Sequence, residues 1–557
     1  MNRFLKRSAS LFLALGLLAG CASESSAVSS SEEQLTVLTG EAEGYGGLIT
    51  ATVTIDANGT IKDLVLTGEQ ETPTVGGEAI PVLQDNIIAA GTIEGVDAVS
   101  GASWTSAGVF NAIKNALGME EEVVEPEIEE QAITSSGLKA GLGIASSPRL
   151  GPGKDDKEIP VYSLNEVVAY ILLDADDRIV DLEVDIMEII TPNHGEETDN
   201  FIGAWPGQSY NADQDFDGVT EGQLEETEEA FVERVAKFQT KREKGSAYKL
   251  NSGTFEQEMD IYENFFKGMN KEEIQEAVAS LFSDVNGRPL NGKSTNEEDV
   301  AKRESLTEEQ VAQIDTLTGA TISINDSHGD MVSAILNAMD NATEIQSDEE
   351  ITSIGLGVVA TPRLGPGRDD KEVPVYSFNI VMAGSALTKD GAIVSLNTDI
   401  LEIITPNHDG AKDNRFTGWP GQSYNADEDA DGATETVLEQ TEESFLEQTS
   451  KYQTKRMLGT AYKLNSGTFA DEMNIYQSFF EGMKADEILE AFDTLFSDVN
   501  GRPLNGNSTN EEDIAKREAL AEEQIATIDT LAGATISISD AHGDLLGAIL
   551  ESIQNAK

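Results

Sequence analysis

The chain has 557 residues, 101 of them acidic and 37 basic, for a formal net charge of −64. That balance argues against nucleic acid as a partner and against docking on anionic lipid by charge. The single cysteine, Cys21, excludes a disulfide framework, a thiolate metal cluster and Cys-x-x-Cys-His haem attachment, so any redox chemistry must come from another cofactor.

The N-terminus points to export. Met1 to Arg7 is short and basic, and Leu11 to Leu18 is an apolar run too short to span a bilayer, which reads as a signal h-region. It ends at Leu18-Ala19-Gly20-Cys21, which resembles the bacterial lipobox. The resemblance implies a lipoprotein signal peptide over residues 1–20, a diacylglycerol on Cys21, a tether over 21–34 and a body anchored outside the cell membrane. The other reading is an ordinary secretory signal with a chance cysteine. No later apolar stretch is long enough for a transmembrane helix. The acidity suits solubility, repulsion from anionic wall polymers, or high external salt, and the length leaves room for about three or four domains.

The first module is placed at 35–120. Gly44-Tyr45-Gly46-Gly47 precedes an alternating run from Leu48 to Ile55, Asp56-Ala57-Asn58-Gly59 is a turn, and Thr60 to Leu66 reads as the return strand. An acidic linker at 121–134 follows. Beyond it the chain repeats itself: Pro148 to Gly153 recurs as Pro362 to Gly367, and Trp205 to Asn211 recurs as Trp419 to Asn425. The offset is 363 − 149 = 214 at the start and 535 − 321 = 214 at the end, so the copies align without a net gap. They are placed at 135–345 and 351–557, with a short acidic joint at 346–350 expected to be solvated and extended. In the first copy Val167 to Leu173, the turn Asp174–Asp177 and Ile179 to Val184 predict a hairpin like that of the first module.

Near the end of each unit one phrase recurs. It reads Asp97-Ala98-Val99-Ser100-Gly101-Ala102-Ser103, then Asp315-Thr316-Leu317-Thr318-Gly319-Ala320-Thr321, then Asp529-Thr530-Leu531-Ala532-Gly533-Ala534-Thr535. A helical pattern follows each, through Val109, Ile113 and Ala116 in the first and Met331, Ile335 and Ala338 in the second. Such a loop suits a phosphate. Glycine lets backbone N–H groups approach an anion, and a following helix N-terminus adds free donors and the positive end of its dipole. The plain alternative is a small-residue turn and cap.

These residues resemble the Asp-x-x-Ser/Thr-Gly-Ala-Thr motif of the FMN-binding domain family, whose members include subunits of membrane electron-transfer complexes and surface flavin lipoproteins of extracellular electron transfer. The first module resembles the family over its whole length, including Glu71-Thr72-Pro73; the long repeats are similar mainly at the motif. The resemblance implies an α+β fold: a small FMN-binding domain with a twisted, mainly antiparallel sheet and packed helices, then two larger α+β repeats of related type. It implies that an FMN transferase esterifies the FMN phosphate to the last hydroxyl, here Ser103, Thr321 and Thr535, with Asp97, Gly101, Ala102, Asp315, Gly319, Ala320, Asp529, Gly533, Ala534, Glu71 and Thr72 around the cofactor. Two departures stand out. Ser103 replaces the usual threonine, and Ala532 removes the hydroxyl before the glycine. A covalent link keeps an exported protein from losing its cofactor and overcomes repulsion between an acidic protein and a phosphate.

Other features carry two readings each. Asp213, Asp215 and Asp217, with Asp427, Asp429 and Asp431, look like the start of a calcium loop, but Leu224 stands where an EF-hand needs Glu. A different calcium-stabilised loop and a solvated acidic loop remain. Trp104 stacks on the flavin ring or packs under its loop. Trp205 and Trp419 line the repeat sites or anchor loops. His194, His328, His408 and His542 are flavin contacts, metal ligands or structural residues. Lys241-Arg242 and Lys455-Arg456 meet flavin phosphate or neutralise carboxylates. The expected function is a multi-flavin electron carrier between a membrane electron donor and an external acceptor such as ferric iron or a partner reductase. The alternatives are a non-redox adhesion lipoprotein with spacer repeats and a flavin-dependent reductase of a small molecule.

Overall fold

The computed structural model describes residues 35–118 and 133–557, apart from 44–47, 58, 69–75, 94–95, 97–98, 100–102, 197, 213–221, 249, 251–252, 292–293, 318, 326–328, 409–413, 427–435, 463, 465–466, 507 and 540–542. The chain forms two compact units, Met1–Pro126 and Glu127–Lys557. Both carry mainly antiparallel sheets followed by helices, which makes the protein α+β. No helix among the described residues is long and apolar enough to cross a membrane.

In the first unit three strands, β1 (Thr36–Glu43), β2 (Leu48–Ile55) and β3 (Ile61–Thr67), form an antiparallel meander. The hairpin predicted from Leu48 onward is present, and β1 is an extra strand ahead of it. One face of the sheet is covered by α1 (Gly76–Ala90) and α2 (Ser103–Ala116), through a core of Ile49, Ala51, Val53, Leu83, Ile87, Val109, Ala112 and Ile113. The helix α2 lies so close to β1 that a Cβ on Gly40 would meet the Ala116 nitrogen at 2.2 Å.

Each repeat of the second unit builds the same way. Strands Lys139–Lys154, Pro160–Leu173 and Ile179–Ile190 form a meander, matched by Ser353–Arg368, Pro374–Leu387 and Ile393–Ile404. Helix Met331–Asn341 packs on Gly143, where a Cβ would meet the Ala338 nitrogen at 2.2 Å; helix Leu545–Gln554 packs on Gly357, 2.1 Å from the Ala548 carbonyl. The strand predicted at Val167 begins seven residues earlier, at Pro160; it is buried on both faces, and polar Ser163, Asn165 and Glu166 interrupt the apolar run that marked it.

The two faces of each sheet have different duties. Val167, Ala169 and Ile171 pack under the helices of their own repeat, while Val168, Tyr170 and Leu172 enter a core shared with Ile380, Met382 and Ile403 of the other. The order of layers is therefore helix, sheet, sheet, helix. The shared core is reciprocal. The Trp205 Nε1–H donates to the Phe416 carbonyl at 2.7 Å, and the Trp419 Nε1–H donates to the Ile202 carbonyl at 2.6 Å. Tyr162 Oη donates to Glu442 at 3.0 Å, and Tyr376 Oη to Glu228 at 2.9 Å. The tryptophans thus hold the repeats to each other.

The segment 346–350 is not a free joint. Glu350–Ile351 pairs with Ile133–Thr134, the Ser135 hydroxyl donates to the Ser347 carbonyl at 2.6 Å, and Ile345 and Ile351 are buried. Their apolar side chains fix a stretch that its charges had marked as solvated.

Two predictions follow from the shared core. Tyr170 lies against Gly384, its own counterpart at the 214-residue offset, and a Cβ there would sit 2.1 Å from the ring. Gly384→Ala should destabilise the second unit by about 2 kcal/mol in chemical denaturation, and much less in a Tyr170→Ala background. Glu166, also in this core, has one oxygen bonded by the Ser146 hydroxyl at 2.5 Å and its other oxygen without a partner among the described residues. Burial pushes its pKa up to about 8, with Ser146 opposing. The folded state keeps the proton that the unfolded chain releases near 4.5, so stability falls as pH rises from 4.5 to 8. Glu166→Gln should raise the melting temperature at pH 8 and leave it unchanged at pH 4, as expected for a position where the other repeat carries Ile380.

Candidate functional site

In the first unit the motif leads straight into a helix. Ser103 is the first residue of α2, and Thr105 and Ser106 of its first turn are buried. The Val99 N–H donates to Ser106 Oγ at 3.1 Å, tying the approach to the helix start. The first N–H groups of a helix have no partner within it and attract anions. Several other helices put their own acids there: Glu228 and Glu229, Glu272 and Glu273, Glu297, Glu298 and Asp299. The first turn of α2 has none, and its one basic residue, Lys114, is in the last turn. That helix start fits a phosphate. Asp97, Gly101, Ala102, Glu71 and Thr72 lie outside the described residues, as do the side chains of Ser103 and Trp104.

The repeats differ. Helix Met331–Asn341 begins ten residues after Thr321, and Leu545–Gln554 ten residues after Thr535. The helical pattern read from Met331 is thus present, and what is corrected is the expectation that this helix start supplies donors to the motif. Those helices are capped by Asp330, which accepts from the Ser333 N–H at 2.9 Å, and Asp544, which accepts from the Gly547 N–H at 2.8 Å.

The motif loops in the repeats hold an anion that belongs to the chain. Glu258, on helix Phe255–Phe266, is 1% exposed. Its Oε2 accepts from the N–H groups of Thr321 at 2.7 Å and Ile322 at 2.8 Å, and its Oε1 accepts from the Thr321 hydroxyl at 2.7 Å. Glu472 does the same for Thr535 and Ile536 at 2.7, 2.8 and 2.8 Å. Gly319 at φ +100° and Gly533 at φ +102° turn the backbone so that these donors converge, a conformation that suits glycine. Ala320 and Ala534 are fully buried, and the Tyr262 and Tyr476 hydroxyls brace the loop by donating to the Ile322 and Ile536 carbonyls. Asp315 and Asp529 are exposed near the ends of the preceding helices.

Sequence reasoning missed the two glutamates. The available signal was a carboxylate kept at the 214-residue offset on an apolar helix face, between Phe255 and Met259 and again between Phe469 and Met473, while Asp260 became Asn474 and Glu263 became Gln477.

The remaining candidates fall in several places. Lys241 and Arg242 neutralise carboxylates: Lys241 Nζ lies 3.3 Å from Glu188, and Arg242 pairs with Glu263 and lies 3.5 Å from Asp260. Burial alone would raise the Glu188 pKa, but Lys241 and Arg149 bring it down to about 2. In the second copy Lys455 lies 3.4 Å from Glu402, while Arg456 bonds the amides of Asn474 and Gln477. His194 Nδ1 lies 2.8 Å from Asp199. Asp213, Asp215, Asp217, Asp427, Asp429, Asp431, His328 and His542 lie outside the described residues, among which no group of His, Cys, Asp or Glu is arranged to hold a metal ion.

Residues 44–118 match the FMN-binding domain family. Over 220 aligned residues the chain is 27% identical to chlorophenol reductase of Desulfitobacterium hafniense, a match covering 38% of this chain and 59% of that protein. The chain thus spans under two thirds of that relative's length.

Removing the buried carboxylate strands three donors, two of them backbone N–H groups. Glu258→Ala should cost about 3 kcal/mol in chemical denaturation, with Glu258→Gln milder because one acceptor oxygen remains. An Ala variant as stable as the parent would show that the loop does not need its anion.

Proposed function

We propose that this chain, whose first unit carries an FMN-binding domain, is a lipid-anchored flavoprotein electron carrier on the outer face of the cell membrane. It bears FMN as a phosphoester on Ser103, installed by an FMN transferase. The observation that carries the reading is the start of α2 at Ser103, inside the matched domain and with no acid in its first turn. The N–H groups of that first turn would hold the phosphate, and buried Thr105 and Ser106 would fix the loop against the helix. FMN supplies exchange of one or two electrons when bound; the protein's part is to hold the phosphate and position the ring. Cys21 supports the anchor, and with it a membrane electron donor and an external acceptor such as ferric iron or a partner reductase.

The proposal places flavin at Ser103 alone. Thr321 and Thr535 already spend their hydroxyls and N–H groups on Glu258 and Glu472, and a phosphoester there would have to displace a buried carboxylate. A second reading, reduction of an organic acceptor by the flavin, is favoured by the similarity to chlorophenol reductase.

Coexpression with an FMN transferase, denaturation and mass mapping should find one FMN adduct, on Ser103. Ser103→Ala should abolish the flavin fluorescence of the denatured chain, while Thr321→Ala and Thr535→Ala leave it unchanged. An adduct on either threonine, or none at all, would overturn the assignment.

A further inference from the structure

A cavity of about 260 Å³ opens in the first repeat, between the bulged loop after Arg149 and the one-turn helix Lys241–Lys244. It is smaller than the ~300–1,000 Å³ of drug-sized ligand sites. Part of its wall is apolar: Pro152, Ile190, Ala247 and the Tyr248 ring.

The carboxylates around it are already engaged, or lie in solvent. Glu188 faces Lys241 at 3.3 Å and Arg149 at 3.7 Å. Asp199 faces His194 at 2.8 Å and accepts the Glu196 N–H at 2.9 Å. Glu196 is exposed at the mouth. Lys244 lines the same cavity, is 9% exposed, and its ammonium makes no hydrogen bond or ion pair among the described residues. Burial holds its pKa below the usual lysine value. Glu188, Asp199 and Glu243 act on it through space, but none of them lies within ion-pair distance among the described residues, and a largely buried ammonium with no bonded partner is costly. Its position is set by Thr240 and Glu243, which form a capping box, and by Gly245, which ends the turn at φ +50°.

The second repeat supplies an internal control. Arg149, Pro152, Glu188, Ile190 and Tyr248 recur as Arg363, Pro366, Glu402, Ile404 and Tyr462, but Lys244 becomes Leu458. The frame is duplicated and the Lys244 ammonium is not.

We infer that this cavity binds a small organic anion, its charge on the Lys244 ammonium and its apolar body against Pro152, Ile190 and Tyr248. The apolar wall favours an organic ion over an inorganic one, and the single lysine favours one negative charge. The site stands whether or not Ser103 carries FMN.

Benzoate titrated into the full-length protein by calorimetry should bind saturably at one equivalent, and benzamide, its neutral analogue, at least tenfold more weakly. Lys244→Leu, which installs the residue of the other repeat, should weaken benzoate at least tenfold while leaving the melting temperature of the apo protein within a degree or two of the parent. Lys244→Gln should do the same. Absence of saturable benzoate binding, equal binding of benzamide, or unchanged affinity in a folded Lys244→Leu variant would each overturn the inference.

Discussion

Two indole N–H groups cross between the repeats in opposite directions, Trp205 to Phe416 and Trp419 to Ile202. Each satisfies a buried carbonyl of the other repeat, and each ring is at most 2% exposed. A buried polar group needs its partner, so neither repeat can keep its tryptophan pocket dry and satisfied without the other. The strands gain a second buried face from this arrangement, and that second face allows runs such as Val167 to Leu173 to be apolar throughout. The helical faces, with the motif loops and the Lys241 and Lys455 clusters, are then built on sheets that cannot flex independently.

The same short phrase occurs in two settings in one chain. At Ser103 it runs into a helix whose first turn carries no acid. In the repeats nine residues separate it from the helix, and the converging donors close on a glutamate from a neighbouring helix. The loop chemistry is shared, because two N–H groups and a hydroxyl suit a carboxylate as well as a phosphate oxygen. The difference lies in where the anion comes from. A resident carboxylate makes the loop part of the core, whereas a bare helix start leaves it open to a ligand.

Much of this was legible in the sequence. The constant 214-residue offset marked the tandem copies, turn residues at Asp56–Gly59 and Asp174–Asp177 marked hairpins, and the spacing of Val109, Ile113 and Ala116 marked α2. The partners of the motif in the repeats were not legible. Glu258 stands 63 residues before Thr321, and no periodicity links them. The helix read from Met331 onward is present, but the sequence did not show that Asp330 caps its start and that the loop from Thr321 packs on the core through Ile322 and Ile324. The joint at 346–350 was misjudged because its charges outweighed the flanking isoleucines. The roles of the tryptophans were undecided because the sequence does not say which face of a sheet meets which.

The contact of Tyr170 with Gly384 has a consequence for how such a molecule can be assembled. The two positions are equivalent under the duplication and meet near the axis that relates the copies. Two tyrosines would collide there, and two glycines would leave a hole the size of a phenol ring. Neither half is therefore a good mate for itself, and each is shaped for the other. Cut into separate polypeptides, the halves would make a selective heterodimer rather than a mixture of homodimers, so fusion in a single chain now secures the stoichiometry that the interface demands.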